Sequence, residues 1–488
     1  MRRALALILA ACAGCTTITE KTVRDSVSPE PARPWTPPSA KAAMPPPLVE
    51  KTAPVVPEEY LKPGTTLSLA QLVDVGLHAN PQTRAAWASA RSAAANVGSK
   101  RAPYFPMFEA DGQLLREKTP FANGPGLLSI LDTTYGPTVA ATWLLFDSGG
   151  READVEQAMR ALYAANWTHN AAIQDVVLQI ASAYYQYLNA KALVLARQAN
   201  LDEARRSLDS AQERHRAGVA TIADVLQART SVSQAELDLQ DTEGQVQIIR
   251  GALATAIGVS ANIPVDVGDL PEDLPLDMVQ KTVDELIAMA TADRPDLAAS
   301  RFTALAAQSK IRSVQAEGLP KLSTAATAGK TFRWQPGPDP VSSNYSALLL
   351  LRIPLFTGFD VAYRTQQAKE DAETAGAVSE RVEDQVILDV WSSYYAMRTA
   401  TQRVRTTRDL LASARQSAEV ADGRYKAGVG SILDLLTTQA SLADARAEEV
   451  QARSLWFLAT AQLAHATGAL LPRAAAITGA GGPNPPTP

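Results

Sequence analysis

Small and apolar residues recur every three or four positions from Arg151 to Ala217, among charged residues and with no glycine or proline between them. The stretch from Val361 to Ala427 repeats the pattern with no proline and two glycines. A period near 3.6 held over 67 residues predicts a helix about 100 Å long, more than a globular domain needs. A second helical pattern follows each long one, over 222–257 and 432–467. An earlier one precedes each, from Leu69 to Lys100 and from Val283 to Glu317. These earlier helices break at Asn80-Pro81 and Arg294-Pro295, because proline removes a backbone donor and crowds the preceding turn.

Between the early and the long helices the period drops to two. FEADGQLL (108–115) and TVAATWLLF (138–146) in the first half, then LSTAATA (322–328) and NYSALLLLRIPLF (344–356) in the second, read as short strands. FEADGQL alternates polar and apolar residues, as a strand with one wet face does. A polar loop is expected between the strands of each pair, over residues 117–135 in the first half.

The two halves are copies. RHRAGVATIADVLQ (214–227) and RYKAGVGSILDLLT (424–437) lie 210 residues apart, as do SAYYQYLNA (182–190) and SSYYAMRTA (392–400). Upstream of the strands the offset is 214, HANPQTRAAWASA lying over ADRPDLAASRFTA, so the first copy carries four extra residues between 106 and 145. The organisation read from this is a first repeat over 67–265, a linker over 266–280 and a second repeat over 281–473.

The repeated sentence has a local meaning. Gly218 and Gly428 stand where a long helix must stop, and glycine accepts the left-handed conformation of a helix terminus. Arg214, Arg216, Arg424 and Lys426 crowd the last turn, where cations meet the negative end of the helix dipole. Thr221 with Asp224, and Ser431 with Asp434, both match a capping box. Each sentence is therefore the tip of a hairpin of two antiparallel helices.

Composition narrows the function. The N-terminus begins with Arg2 and Arg3, continues through eight apolar residues (4–11) and ends in Leu9-Ala10-Ala11-Cys12. Eight residues cannot span a bilayer, so this is an export signal. Its end resembles a bacterial lipobox, with Cys12 as the lipidated residue and Cys15 as the alternative. Aspartate, which commonly retains bacterial lipoproteins in the inner membrane, follows neither cysteine. Residues 12–66 then form the anchor and a proline-rich strap, and 474–488 a non-helical tail. No cysteine occurs elsewhere, which excludes a disulfide framework or a thiolate metal site in the body. A net charge of −5 with both signs interspersed argues against a nucleic-acid partner. His78, His169, His215 and His465 share no ligand spacing, and no glycine-rich phosphate loop follows a strand, so neither an enzyme nor a metal or other cofactor is expected. No stretch reaches 18 apolar residues, so any membrane crossing must use strands.

Taken together, the duplication, the AGV-x-[TS]-I-x-D tip, Phe146-Asp147-Ser148-Gly149 and Phe356-Thr357-Gly358 at the strand-to-helix passages, and Tyr184-Tyr185 with Tyr394-Tyr395 resemble the TolC-like outer-membrane factor family, in its lipoprotein branch. The resemblance implies a mainly α fold with a β-barrel part. Long duplicated hairpins form a trimeric α-barrel, and four strands per chain contribute to a twelve-stranded transmembrane β-barrel. It further implies a homotrimer in outer-membrane lipid, a periplasmic adaptor protein, and an inner-membrane pump, expected to be proton-driven. The adaptor-docking tip then comprises Arg214, Ala217, Gly218, Val219 and Thr221 with Arg424, Ala427, Gly428, Val429 and Ser431; Asp224 and Asp434 form the gate ring. Thr437 departs from the family, which often has a second acid there. The alternative reading is a lipid-anchored periplasmic coiled-coil scaffold or adaptor without a pore, which leaves the repeated strand pairs unexplained. The exported compound, and the choice between efflux and type I secretion, are not written in the sequence.

Overall fold

The computed structural model describes residues 65–123, 126–276, 281–334 and 341–470, with backbone only at 119, 121–123 and 126–130. The export signal, both cysteines, the proline-rich strap as far as residue 64 and the tail from 471 lie outside these residues.

The first half runs α1 (Leu69–Ala79), α2 (Pro81–Arg101), a short 3-10 turn, β1 (Met107–Asn123), β2 (Gly126–Phe146), α3 (Gly150–Arg216) and α4 (Ile222–Ala256). The second repeats the order as α5 (Val283–Asp293), α6 (Pro295–Glu317), β3 (Lys321–Arg333), β4 (Val341–Arg352), α7 (Asp360–Lys426) and α8 (Ile432–Ala466). The helices expected at 151–217, 222–257, 361–427 and 432–467 are present to within a residue at each end.

In each half the short helices share the length of the long one. α4 pairs with α3 from the tip upward, and α2 takes over along α3 where α4 ends. One side chain serves that junction: Asn80 Oδ1 accepts the Gln82 N–H (2.8 Å) to cap α2, while its Nδ2 donates to the Ala256 carbonyl (3.0 Å) at the end of α4. Here the second half has Arg294, whose buried guanidinium donates to Asp296 (2.7 Å) and to Asp389 of α7 (2.9 Å).

The strands form one antiparallel sheet in the order β1-β2-β3-β4. The loop expected over 117–135 is instead strand: β1 and β2 stay in register from Met107 opposite Thr142 to Asn123 opposite Gly126. Its polar residues and glycines do not signal a loop, because backbone pairing with the partner strand decides a strand's length, and an ion pair between Arg333 and Asp132 (3.0 Å) ties this outer part to β3. Pro120 is tolerated because β1 is an edge strand. In the second half the strand stops at Arg352, short of the expected Phe356, two residues before Pro354.

Strand turns into helix at a tight knuckle, with Ser148 and Gly149 at φ of +55° and +88°. The buried Asp147 carboxylate accepts the Arg151 N–H (2.6 Å) and its Nε–H (3.2 Å). The same guanidinium reaches the Leu144 carbonyl (2.6 Å) and stacks over Tyr104 at 4.6 Å. In the second half Gly358 and Phe359 take the left-handed positions (φ +62° and +65°). Two apolar clusters, around Ile180 and Leu253 in the first half and around Val390 and Trp456 in the second, form the core. Between the halves, Tyr185 of α3 stacks on Phe457 of α8 (5.0 Å), joining the two clusters. Among the described residues no helix is long and apolar enough to cross a membrane.

Candidate functional site

Both hairpin tips close with the same backbone device. The Val219 N–H donates to the Arg214 carbonyl and the Gly218 N–H to the His215 carbonyl, each at 2.9 Å. In the second tip Val429 donates to Arg424 and Gly428 to Tyr425, each at 3.0 Å. This pair of bonds is a Schellman motif, and Gly218 and Gly428 supply its left-handed residue at φ of +77° and +80°. Ala217 and Ala427 are the caps of α3 and α7.

The return helices start differently. At the first tip Thr221 Oγ1 accepts the Asp224 N–H (3.2 Å) and the Asp224 carboxylate accepts the Thr221 N–H (2.8 Å), a complete capping box. At the second, Ser431 Oγ accepts the Asp434 N–H (3.1 Å), but the Asp434 carboxylate does not return the bond, so only half of the expected box forms. Gly430 stands here in place of Ala220. Its N–H gives a further bond to the Arg424 carbonyl (3.0 Å), and a Cβ on it would sit 3.1 Å from the Arg424 Cβ and the Tyr425 nitrogen. The chain therefore enters α8 pressed against the end of α7. Asp434 is exposed and lines a groove with Val420, Arg424 and Thr437.

The two tips form one structure. Arg214 Nη1 donates to the Tyr425 carbonyl (3.0 Å), and its guanidinium lies over the Tyr425 ring at 4.8 Å. Beneath them Ala211, Val225, Ala228, Tyr425, Ile432 and Leu435 form a buried cluster shared by both hairpins. Burial pushes the Tyr425 hydroxyl above the usual phenol range, and among the described residues that hydroxyl has no hydrogen-bond partner. Arg214 is thus half-buried and joins the hairpins, whereas Ala217, Gly218, Val219, Thr221, Arg424, Ala427, Gly428, Val429 and Ser431 are exposed. Val219 (64% exposed), Ile222 (58%), Val429 (70%) and Leu433 (59%) give the tip an apolar outer surface.

Tyr425 is the residue that the sequence reading left out. Its signal was the change from the His215 imidazole to a phenol two residues before the matched Ala-Gly-Val. Among the described residues no group of three or more His, Cys, Asp or Glu is placed to hold a metal ion.

Comparison with known proteins agrees with this architecture. A family profile described as outer membrane efflux protein matches residues 72–259 and 286–469, once in each half. Protein CyaE of Bordetella pertussis is 28% identical over 429 residues, covering 86% of this chain and 90% of its own length. The probable efflux pump outer membrane protein TtgC of Pseudomonas putida is 24% identical over 384 residues, covering 78% of each. Among solved structures, the outer-membrane channel OprN superposes with a TM-score of 0.74 at 20% identity, over 82% of this chain and 90% of that one. With the profile filling both copies and the fold shared over most of its length, the chain belongs to the outer membrane efflux protein family.

Proposed function

We propose that three copies of this chain close into one duct, through which an inner-membrane pump and a periplasmic adaptor pass compounds out across the outer membrane. The observation that carries the reading is that the duplicated unit is open at both ends. Among the described residues β1 and β4 pair on one side only, leaving unpaired backbone groups at both sheet edges. The helices are open in the same sense. Inside the chain α3 packs on α8: Arg446 pairs with Glu203 (2.8 Å), Ser207 bonds Gln439 (2.9 Å), and Ser454 donates to the Tyr185 carbonyl (2.9 Å). Shifted by 210 residues, that contact sets α7 against α4 of a second copy. The faces concerned are exposed here, with Trp391 and Tyr395 on α7, and Leu237 and Ile248 on α4. Each added copy continues both the sheet and the helix ring, so closure supplies what every edge lacks. With four strands per chain, three copies give twelve, above the roughly eight of the smallest bacterial barrels.

In this reading the apolar tip surface receives the adaptor. Asp434, whose carboxylate is not spent on its own helix, carries the gate ring more than Asp224, which is. Cys12, with Cys15 as the alternative, carries the lipid. A pore-free scaffold gives no reason for two open sheet edges. The test is mass and conductance together: the mature chain in mild detergent should scatter light as a trimer and open channels in a planar bilayer. A monomer, or a trimer that never conducts, overturns the proposal.

A further inference from the structure

α6 is held on two sides, its counterpart α2 on one. Along α7, Arg301 of α6 pairs with Glu383 (2.9 Å) and Ser300 lies beside Ser379 (3.2 Å). Along α3, the Ser313 hydroxyl donates to the Asp154 carboxylate (2.5 Å) and Arg312 pairs with Glu156. The Leu305 carbonyl accepts from Arg160 Nη1 (3.0 Å), and the Phe302 ring meets Tyr163 edge-on at 5.4 Å. α2 packs along α3 as α6 packs along α7, and among the described residues α3 is the one long helix it packs along. At an offset of 214, the face that α6 turns to α3 becomes Ala88, Arg91, Ala95 and Ser99 of α2. Ser309 and Ser313 are buried on α6, whereas Ala95 and Ser99 in their places are exposed, with Ala88 and Arg91 beside them.

The seat that α6 occupies on α3 has its own counterpart on α7. α3 carries a short helix on each flank, α2 and α6, while among the described residues α7 carries α6 on one flank and nothing matching on the other. At an offset of 210, Asp154, Arg160 and Tyr163 become Arg364, Glu370 and Glu373, and both glutamates are exposed. The charges change together across the two surfaces. Inside the chain a leucine carbonyl rests on the Arg160 cation; the corresponding residues are the Arg91 cation and the Glu370 carboxylate. Among the described residues neither has a partner of opposite charge. The Arg91 guanidinium lies over Trp87 of its own helix at 4.7 Å, and Glu370 accepts from the Gln366 amide (2.5 Å).

We propose that the open face of α2 seats α7 of a second copy, with Arg91 paired to Glu370. Arg91 fits the seat on α7 and not the similar seat on α3, where it would stand against Arg160. Two helix seams alike in shape are thus told apart by sign, so that first and second halves alternate around the ring. The proposal rests on the closure proposed above and adds the contact that orders it.

Two experiments on the full-length protein test it, each beside light scattering of the same sample. Ser313→Cys with Asp154→Cys, at a contact already seen, is the control and should form a disulfide within one chain. Ser99→Cys with Arg364→Cys should form one between chains, and each single variant controls for pairing with Cys12 or Cys15. A trimer without that link, or with the link inside one chain, overturns the seam and leaves closure standing; a monomer overturns both. Charge reversal reads the ion pair itself. Arg91→Glu and Glu370→Arg should each shorten the lifetime of the trimer in sodium dodecyl sulfate by about tenfold, an exposed pair being weak but lost at three seams at once. Combined, the two reversals should restore the wild-type lifetime. Single variants without effect, or a double variant in which the two losses multiply, overturn the pairing.

Discussion

Gly428 and Gly258 share a backbone conformation, yet substitution should affect one through docking and the other through stability. Both lie at φ of +80°, where any L-residue costs about 1–2 kcal/mol. A Cβ on Gly428 meets only Arg214 Nη2, at 3.7 Å, so the backbone term is nearly the whole cost there. A Cβ on Gly258 would lie 2.8 Å from both the Cα and the nitrogen of Asn80, in the junction between α4 and α2. Those are backbone atoms held by a cap at each side, so relief requires moving a helix end. Overpacking of this kind adds about 1–3 kcal/mol, for a total of about 2–5 kcal/mol. Gly428→Trp should therefore fold and assemble close to wild type but fail in export, because the indole stands on the outer surface of the tip, where the proposed function brings an adaptor helix. Gly258→Ala should be clearly less stable, while the fraction that assembles exports normally. Stability is read from denaturant unfolding of the helical signal in detergent. Function is read from export in cells lacking their own duct, and from adaptor cross-linking. If Gly428→Trp assembles, cross-links and exports at the wild-type rate, the tip is only a turn. If Gly258→Ala matches Gly428→Ala in stability, the junction argument is wrong.

Four further outcomes are expected. Labelled palmitate should enter the wild type and be absent from a Cys12→Ala, Cys15→Ala double variant; an unlabelled wild type rules out the anchor. Asp224→Ala should lose a cap contact worth about 1 kcal/mol, whereas Asp434→Ala should leave stability nearly unchanged and raise the conductance of the closed duct; unchanged conductance removes Asp434 from the gate. Burial opposes ionisation of Asp266, but hydrogen bonds from Lys191 and the Val267 N–H outweigh it and hold the carboxyl below its usual range. A lowered value stabilises the fold above the ordinary carboxylate range and loses that stability as pH falls through the lowered value. Asp266→Asn should thus cost up to about 1 kcal/mol near neutrality, because the half-exposed pair is screened by solvent, with the gap to wild type closing in acid; a gap independent of pH refutes the linkage. Tyr425→Phe should be neutral or slightly stabilising because the hydroxyl has no partner among the described residues, whereas Arg214→Ala should loosen one hairpin from the other; a destabilised Tyr425→Phe trimer means that the hydroxyl finds a partner in the assembly.

How far the sequence reached follows from the range of the interactions. Helix ends were legible because a cap is a local event: Gly218, Gly428, Thr221 and Ser431 act within a few residues of themselves, and each stands where its type requires. Strand ends were not legible, because pairing is decided by a partner strand. The outer part of β1 is mostly polar, that of β2 holds the short run Leu127-Leu128-Ser129-Ile130-Leu131 between a glycine and Asp132, and only their register reveals both as sheet. At the site, the same sentence in both copies predicted two identical tips, but a single chain packs them side by side rather than in equivalent surroundings. Tyr425 is buried beneath Arg214, while its counterpart His215 is exposed; Ile432 is buried, while Ile222 is exposed.

These mismatches have one physical origin. A duplicated unit that packs on its own second copy presents each face in two settings, one covered within the chain and one left open among the described residues. Tyr185 stacks on Phe457 and lies beneath Ser454; in the trimer proposed above, the same geometry carried forward sets Tyr395 of α7 beside Gln247 and Gly244 of a neighbouring α4. Gly244 has nothing within 4 Å of where its Cβ would lie, and Tyr395 is 42% exposed. In the first setting the tyrosine stacks on a ring of the other half; in the second, among the described residues, it meets only Trp391 and Tyr394 of its own helix, at 4.9 and 5.3 Å. Had the copies remained identical, the chain would carry no mark of which contacts are internal. Their divergence at His215 against Tyr425, Gly244 against Ser454 and Gln247 against Phe457 is what selection on two unlike surroundings leaves behind, and a scaffold of free-standing hairpins would give those positions no unlike surroundings to record.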